Sequence, residues 1–526
     1  MKKESLIHQT SYTVECKYNM NILDYLEATG RKFPEKIALA DDNSIISFSE
    51  LITKAKSIGS HLATLSTNKT RQPVMVFVDR NVESIISFMG VVYSGNFYAP
   101  IDSKMPRERV ELIVKTLNPV AAIVVSDFDQ KTMESISFTG FVLKYEDTAA
   151  KPVNESVLNE LRKKVIDIDP LYALFTSGST GVPKGVVIHH KAVIDLAEWL
   201  VNTFEFSEKE VLGNQTPFYF DGSVKDIYIT LKTGATMYII GRKYFSFPKL
   251  LADYLNEKKI TTILWATSAV SLIGNSNILA EEEFPNIKKV FFAGEAMPAK
   301  QLNVWRKYLP LAKFVNLYGP TEVTVDTTYY HVERDCNDDE FIPIGYPCRN
   351  KEVLVLNEKN DLAEPMEVGE LCVRGTGLAL GYFNNEKKSR EVFVQNPLHN
   401  FYEDKIYRTG DMVRYNLRGE IEFVSRKDFQ IKHMGNRIEL GEIEVAVNSL
   451  DNVASAACIY DDTKQKIIMF YTTINGEKLD IINALKHKLP KYMFPNVIMQ
   501  KDTLPYNFSD KIDRVKLKKQ YLNEKG

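Results

Sequence analysis

Short runs of β-branched and aromatic residues alternate with stretches of helical periodicity over much of this 526-residue chain. The series begins Ile22–Thr29, Ile37–Ala40, Phe48–Thr64, Val74–Val78, Ser84–Tyr93 and Val120–Val125. It returns at Val186–Phe204, Ile227–Leu231, Thr236–Ile240, Leu250–Lys258, Thr262–Trp265 and Val290–Ala293. Strands separated by helices cannot be joined as hairpins, so this alternation calls for parallel sheets covered by helices. From about Glu352 the runs shorten and read as strands (Glu352–Leu356, Gly369–Arg374, Met412–Tyr415, Glu420–Phe423), as expected of a small β-rich subdomain. Beyond Arg426-Lys427-Asp428 a compact α+β tail is expected, with helices over Glu442–Ser449 and Ile481–Lys488, which places a domain boundary near Asp428.

Composition narrows the partners. Sixty-six Lys and Arg against 68 Asp and Glu leave a net charge of −2, with no bulk attraction to nucleic acid or acidic lipid, so a small molecule is the expected ligand. The longest uncharged stretch, Ser84 to Ile101, is broken by serines, glycines, Asn96 and Pro100, and is expected to be a buried helix running into a strand, not a membrane insertion. The opening residues carry no apolar run of a secretory signal. Cys16, Cys336, Cys348, Cys372 and Cys458 show no C-x-x-C spacing, which points away from disulfide or zinc frameworks and towards the cytoplasm.

Chemistry concentrates in Leu174-Phe-Thr-Ser-Gly-Ser-Thr-Gly-Val-Pro-Lys-Gly185, which follows an apolar strand. Glycines let backbone N–H groups approach phosphate oxygens, hydroxyls add donors and Lys184 adds positive charge. Pro183-Lys184-Gly185 departs from the G-x-x-x-x-G-K-[ST] pattern, which disfavours a P-loop NTPase and leaves a polar turn as the alternative. A second glycine-rich run, Arg374 to Gly381, has the wrong spacing for a dinucleotide site and no βαβ context, so it reads as structural.

Thr176–Gly185 resembles the signature loop of the adenylate-forming superfamily, and further motifs of that superfamily follow in order. They are Asn316-Leu-Tyr-Gly-Pro-Thr-Glu322, Gly369–Arg374, Tyr407-Arg-Thr-Gly-Asp411, Arg426–Asp428, Gln430–Lys432, Gly435–Glu444, Leu489–Met493 and Lys511–Arg514. Gly95–Asp102 and Phe220-Asp-Gly-Ser223 narrow the resemblance to amino-acid adenylation domains of nonribosomal peptide synthetases and to D-alanine–carrier-protein ligases. The resemblance implies an α/β fold: a large N-terminal domain, residues 1–427, of two parallel-rich sheets with a small β-barrel-like subdomain, and a mobile α+β lid, residues 428–526. It also implies activation of an amino acid by Mg-ATP to an acyl adenylate, then transfer to the phosphopantetheine thiol of a carrier protein, or alternatively to coenzyme A.

Site roles follow from the resemblance position by position. Thr176, Ser177, Gly178, Ser179, Thr180, Gly181 and Lys184 would hold phosphates. Thr321 would bond the α-phosphate and Glu322 would ligate Mg²⁺. Gly294, Glu295, Ala296, Asn316, Leu317, Tyr318, Gly319 and Pro320 would border the adenine slot, with Asp411 and Arg426 at the ribose. Lys511 would bridge the substrate carboxylate and the α-phosphate. Asp221 would bind the substrate ammonium, among Gly222, Lys225, Leu264, Phe291, Ala293, Leu317, Val325 and Asp326. Lys225 and Asp326 are expected either to pair with each other beside a small apolar side chain or to meet a polar, glutamate-like one. Asp428 would be the hinge, and Lys432 and Gly435 would border the pantetheine channel. The chain ends twelve residues after Arg514, so a separate carrier protein is the expected acceptor.

Overall fold

The computed structural model describes residues 21–125, 136, 138–178, 181–338, 340, 342–427, 429–505 and 512–525. Among them, two sheets carry the large part of the molecule. Nine strands run in the order Tyr346–Pro347, Thr328–His331, Lys313–Tyr318, Lys289–Ala293, Thr262–Ala266, Val211–Asn214, Thr236–Ile239, Ile37–Ala40 and Ile45–Ser47. The inner members from Lys313–Tyr318 to Ile37–Ala40 are parallel, and antiparallel strands close both edges. The second sheet orders seven strands as Gly381–Tyr382, Lys184–His189, Pro170–Thr176, Phe97–Asp102, Pro73–Val78, Ala121–Val124 and Phe141–Lys144, parallel from Pro170–Thr176 onward.

Side-chain alternation along the strands explains the layering. In Pro73–Val78, Val74, Val76 and Val78 join a core shared by both sheets, while Met75 and Phe77 face the opposite side. The shared core takes in buried faces of the helices Leu23–Lys32, Phe48–Leu65, Val82–Tyr93, His190–Phe204 and Gly222–Thr233. Within the helix Val82–Tyr93, residues Ser84–Tyr93 are buried on every face, which accounts for their uncharged sequence, and Glu83 in the first turn is half-buried. The nine-stranded sheet packs its other face on Pro248–Glu257, Thr267–Gly274 and Ala299–Tyr308, where Trp265 and Trp305 are fully buried. No helix among the described residues is long and apolar enough to cross a membrane.

A five-stranded antiparallel sheet follows, built on Lys351–Leu356, Gly369–Gly375, Lys405–Tyr415, Phe393–Gln395 and Ile421–Arg426. Residues 429–525 have hydrophobic clusters of their own, around the hairpin Gln430–His433/Asn436–Glu439, the helix Leu440–Asn448 and a three-stranded sheet. The helix expected over Glu442–Ser449 starts at Leu440, whose buried side chain anchors its first turn. The one expected over Ile481–Lys488 ends at Leu485 and gives way to turns, in which the Lys488 and Leu489 N–H groups both donate to the Leu485 carbonyl ahead of Pro490. Four cysteines, Cys336, Cys348, Cys372 and Cys458, are free and buried; burial pushes the Cys372 thiol up to about 12.

Candidate active site

The glycine-rich loop closes a hairpin. Thr176, ending one strand, pairs directly with Lys184, which begins the next, so the loop is held at both ends by sheet hydrogen bonds. Gly181 adopts φ +80° and donates its N–H to the Gly178 carbonyl at 2.9 Å. A Cβ on Gly178 would stand 2.1 Å from the Val182 carbonyl oxygen, so no other residue fits this turn. The Thr176 hydroxyl is buried with no hydrogen-bond partner among the described residues. Ser179 and Thr180 lie outside the described residues, as do Asp428 and Lys511.

The sheet edge beyond this loop carries Asn316 to Glu322. Asn316 donates to the Pro343 carbonyl at 2.8 Å, and the Thr321 hydroxyl donates to Asp221 Oδ2 at 2.7 Å. Asp221 immediately precedes the helix Gly222–Thr233 without a side-chain bond to its N–H groups and is half-buried; burial raises its carboxyl, and the Thr321 bond opposes the rise. Glu322 is fully buried, with the Tyr382 hydroxyl on Oε1 at 2.8 Å and Arg437 on Oε2 at 2.6 Å. Burial alone would neutralise it, yet Arg437 and Lys184 hold its carboxyl down at about 2.

Around the predicted adenine slot, Gly294 takes φ +104° and has open space where a Cβ would be. Glu295 accepts the Gly435 N–H at 2.8 Å, and Ala296 is exposed beside it. Tyr318 donates its hydroxyl to Asp411 Oδ2, while Arg426 pairs with Asp411 Oδ1 at 2.7 Å. Lys432 reaches over the Tyr318 ring, 5.1 Å from its centre. Lys225 and Asp326 form a buried ion pair at 3.1 Å, and Asp326 Oδ2 has no partner among the described residues. Leu264, Phe291, Leu317 and Val325 belong to the shared core, with Ala293 packed against it, and Gly222 sits against Thr216.

The hairpin and helix of residues 430–448 dock on the glycine-rich loop. Ser177 donates to the Arg437 carbonyl at 3.0 Å and accepts the Glu439 N–H at 3.2 Å. The Gly178 N–H donates to Glu442 Oε2 at 3.2 Å, and Lys184 reaches Glu439 at 3.5 Å. Glu442 also pairs with Arg109, both buried. The loop thus already holds two carboxylates on a backbone amide and an ammonium, the donor set that phosphate oxygens require.

The AMP-binding enzyme pattern matches residues 26–383. The chain belongs to this family. Zwittermicin A synthase ZmaJ of Bacillus cereus is 30% identical over 494 residues, covering 91% of each chain. Tyrocidine synthase 1 of Brevibacillus parabrevis is 29% identical over 498 residues, 94% of this chain, which spans only 44% of that protein. Holo-PA1221, a nonribosomal peptide synthetase protein with adenylation and carrier domains bound to a vinylsulfonamide inhibitor, superimposes at TM-score 0.80 over 95% of this chain and 84% of that one, at 21% identity. This AMP-binding enzyme is therefore an α/β adenylation domain of the adenylate-forming ligases, similar in sequence to those of nonribosomal peptide synthetases.

Several residues at the site escaped individual notice in the sequence. Arg437, Glu439 and Glu442 lie inside the family motif Gly435–Glu444, so their presence was visible but their partners were not. Tyr382 follows the run Arg374–Gly381 and forms with Gly381 a two-residue strand paired with Val186 and Val187. Arg109 carried no signal, because its partner stands 333 residues away.

Proposed function

We propose that this AMP-binding enzyme activates an amino acid as its aminoacyl adenylate and passes it to the phosphopantetheine thiol of a separate carrier protein. The observation that carries the amino-acid part is Asp221. It is a half-buried carboxylate bonded to the neutral Thr321 hydroxyl, and the nearby ammonium of Lys225 is bound to Asp326, which leaves the substrate to supply the cation.

Adenylation needs two anions brought together, so the chain must place positive charge without repelling the amino acid. The glycine-rich loop and Lys184 would take the phosphates, with Asp411 and Arg426 at the ribose and Tyr318, Asn316 and the open edge at Gly294 around the base. A carboxylate oxygen then attacks the α-phosphorus as its bond to pyrophosphate breaks, with Thr321 and Lys511 meeting the charge that develops. Glu322, an ionised carboxylate now paired with Arg437, would hold Mg²⁺, and the ion would supply charge neutralisation. In the second step a thiolate sulfur attacks the carbonyl carbon and AMP leaves. Lys432 and Gly435, close to Tyr318 and Glu295, would border the thiol's approach, after residues 428–526 turn about Asp428 as a lid on residues 1–427.

The test is ATP–pyrophosphate exchange over a panel of D- and L-amino acids, followed by AMP release with holo-carrier protein or coenzyme A. Exchange stimulated by an amino acid and thioester formation on the carrier are expected. Exchange with aryl or fatty acids alone would overturn the amino-acid reading, and turnover with coenzyme A alone would overturn the carrier.

A further inference from the structure

A buried lysine with no role so far stands behind one wall of the acid pocket. Lys351 opens the strand Lys351–Leu356, and its ammonium donates to three backbone carbonyls, those of Val323 at 2.8 Å, Thr324 at 3.2 Å and Asp326. Three N–H groups on three carbonyls require the charged form, since a neutral amine would leave one carbonyl bare. The carbonyls belong to a turn that the chain would not hold unaided. Thr324 and Val325 sit at φ +56° and +65°, and the Asp326 N–H folds back on the Thr324 carbonyl at 2.9 Å. For a β-branched valine that region is strained, and it persists only where the surroundings over-determine it. The Thr324 hydroxyl adds a bond to the Gly377 carbonyl at 2.7 Å. Gly377 in turn leaves the lysine its seat: a Cβ there would stand 2.4 Å from Lys351 Cε and 2.9 Å from Nζ.

We propose that Lys351 is a positioning residue for substrate selection: by gathering the carbonyls of Val323, Thr324 and Asp326 it fixes the turn that presents Val325 and the Asp326 carboxylate to the substrate side chain. This rests on the reading of Asp221, Lys225, Val325 and Asp326 as the pocket for the acid. Asp326 meets Lys225 through Oδ1 while Oδ2 has no partner among the described residues, so its aim depends on one ion pair and on its own backbone. Lys351 holds that backbone. Withdrawing the ammonium leaves three buried carbonyls converging without a donor, which opens the turn and frees the ion pair to shift. The glycine-rich loop, Asp411 and Arg426 make no bond to Lys351 among the described residues, so the nucleotide contacts stay as they are.

Lys351→Met keeps the length of the side chain and removes every donor. In ATP–pyrophosphate exchange with the full chain, the KM for the amino acid is expected to rise about tenfold, with kcat and the KM for ATP within about twofold of wild type. In an Asp326→Asn background the same change should raise that KM by less than about threefold, because the side chain it positions is already altered. A merely structural lysine would lower the melting temperature and leave the amino-acid KM unmoved, and that result would overturn the proposal. So would a KM for ATP raised to the same degree, or an undiminished effect on top of Asp326→Asn. Should Lys351→Met fail to fold, Gly377→Ala keeps the lysine but pushes its ammonium off the carbonyls. It is expected to raise the amino-acid KM selectively, and an unchanged KM there would overturn the proposal. Exchange confined to aryl or fatty acids would overturn the amino-acid reading alone, with Lys351 judged by the KM of that acid. Exchange with no acid at all would overturn both.

Discussion

Asp221 shows how much one side chain asks of its surroundings. Burial raises its carboxyl, so the ionised form needs a cation. Asp221→Asn keeps an oxygen for the Thr321 hydroxyl and removes only the charge. The KM for the amino acid is expected to rise about thirtyfold, roughly 2 kcal/mol for a lost charge-assisted hydrogen bond, while the KM for ATP stays put. In the wild type that amino-acid KM should climb as pH falls through the raised carboxyl, because protonation cancels the attraction for ammonium; the variant should lack this limb. Lys511→Ala is expected to abolish exchange yet leave the melting temperature near that of wild type, and near-normal exchange would remove Lys511 from the chemistry. At this scale the sequence was informative about which residues the fold gathers at the site, as for Gly178, Thr321, Glu322 and Asp411, because each sits in a local motif. It was silent where the role depends on a distant partner: nothing near Arg109 announces Glu442.

Elements were legible for the same physical reason. Burial on both faces of Pro73–Val78, whose side chains alternate between two cores, and the uncharged turns of Ser84–Tyr93 follow directly from residue type. Strand lengths were less so: Met412–Tyr415 is the end of an eleven-residue strand, Lys405–Tyr415, whose register shift after Met412 hides the alternation. The stretch Val186–Phe204 divides at His189, whose ring accepts the Ala192 N–H at 3.1 Å and so starts the helix. A sharper start marks Phe48–Leu65, where Ser47 accepts the Glu50 N–H at 3.2 Å and Glu50 accepts the Ser47 N–H at 2.8 Å. Ser47→Ala should cost about 1 kcal/mol in denaturant unfolding. Asp428→Pro, by stiffening the proposed hinge, is expected to slow thioester formation more than exchange; equal loss of both would count against a hinge there.

Across the whole molecule, acid should act first through buried groups held neutral or paired. His190 accepts the Ile22 N–H at 3.3 Å, and burial, with Arg162 and His189 nearby, lowers its ring to about 3. Unfolding restores an ordinary histidine that takes up a proton below about pH 6.5. The unfolded chain therefore binds more protons between about pH 6.5 and 3, and stability falls with falling pH by up to roughly 1.4 kcal/mol per unit in that window. His190→Asn should flatten this slope in urea titrations at pH 7 and pH 5; an unaltered slope would assign the acid loss elsewhere.

Trp199, Trp265 and Trp305 are the chain's three tryptophans, all buried on the large sheets and none beyond residue 305. Intrinsic emission is consequently a reporter of one part of the molecule and blind to residues 429–525. A denaturation curve followed by fluorescence will describe the nucleotide half alone. Loss of the smaller part will register only in circular dichroism, and if it melts first the two curves will separate.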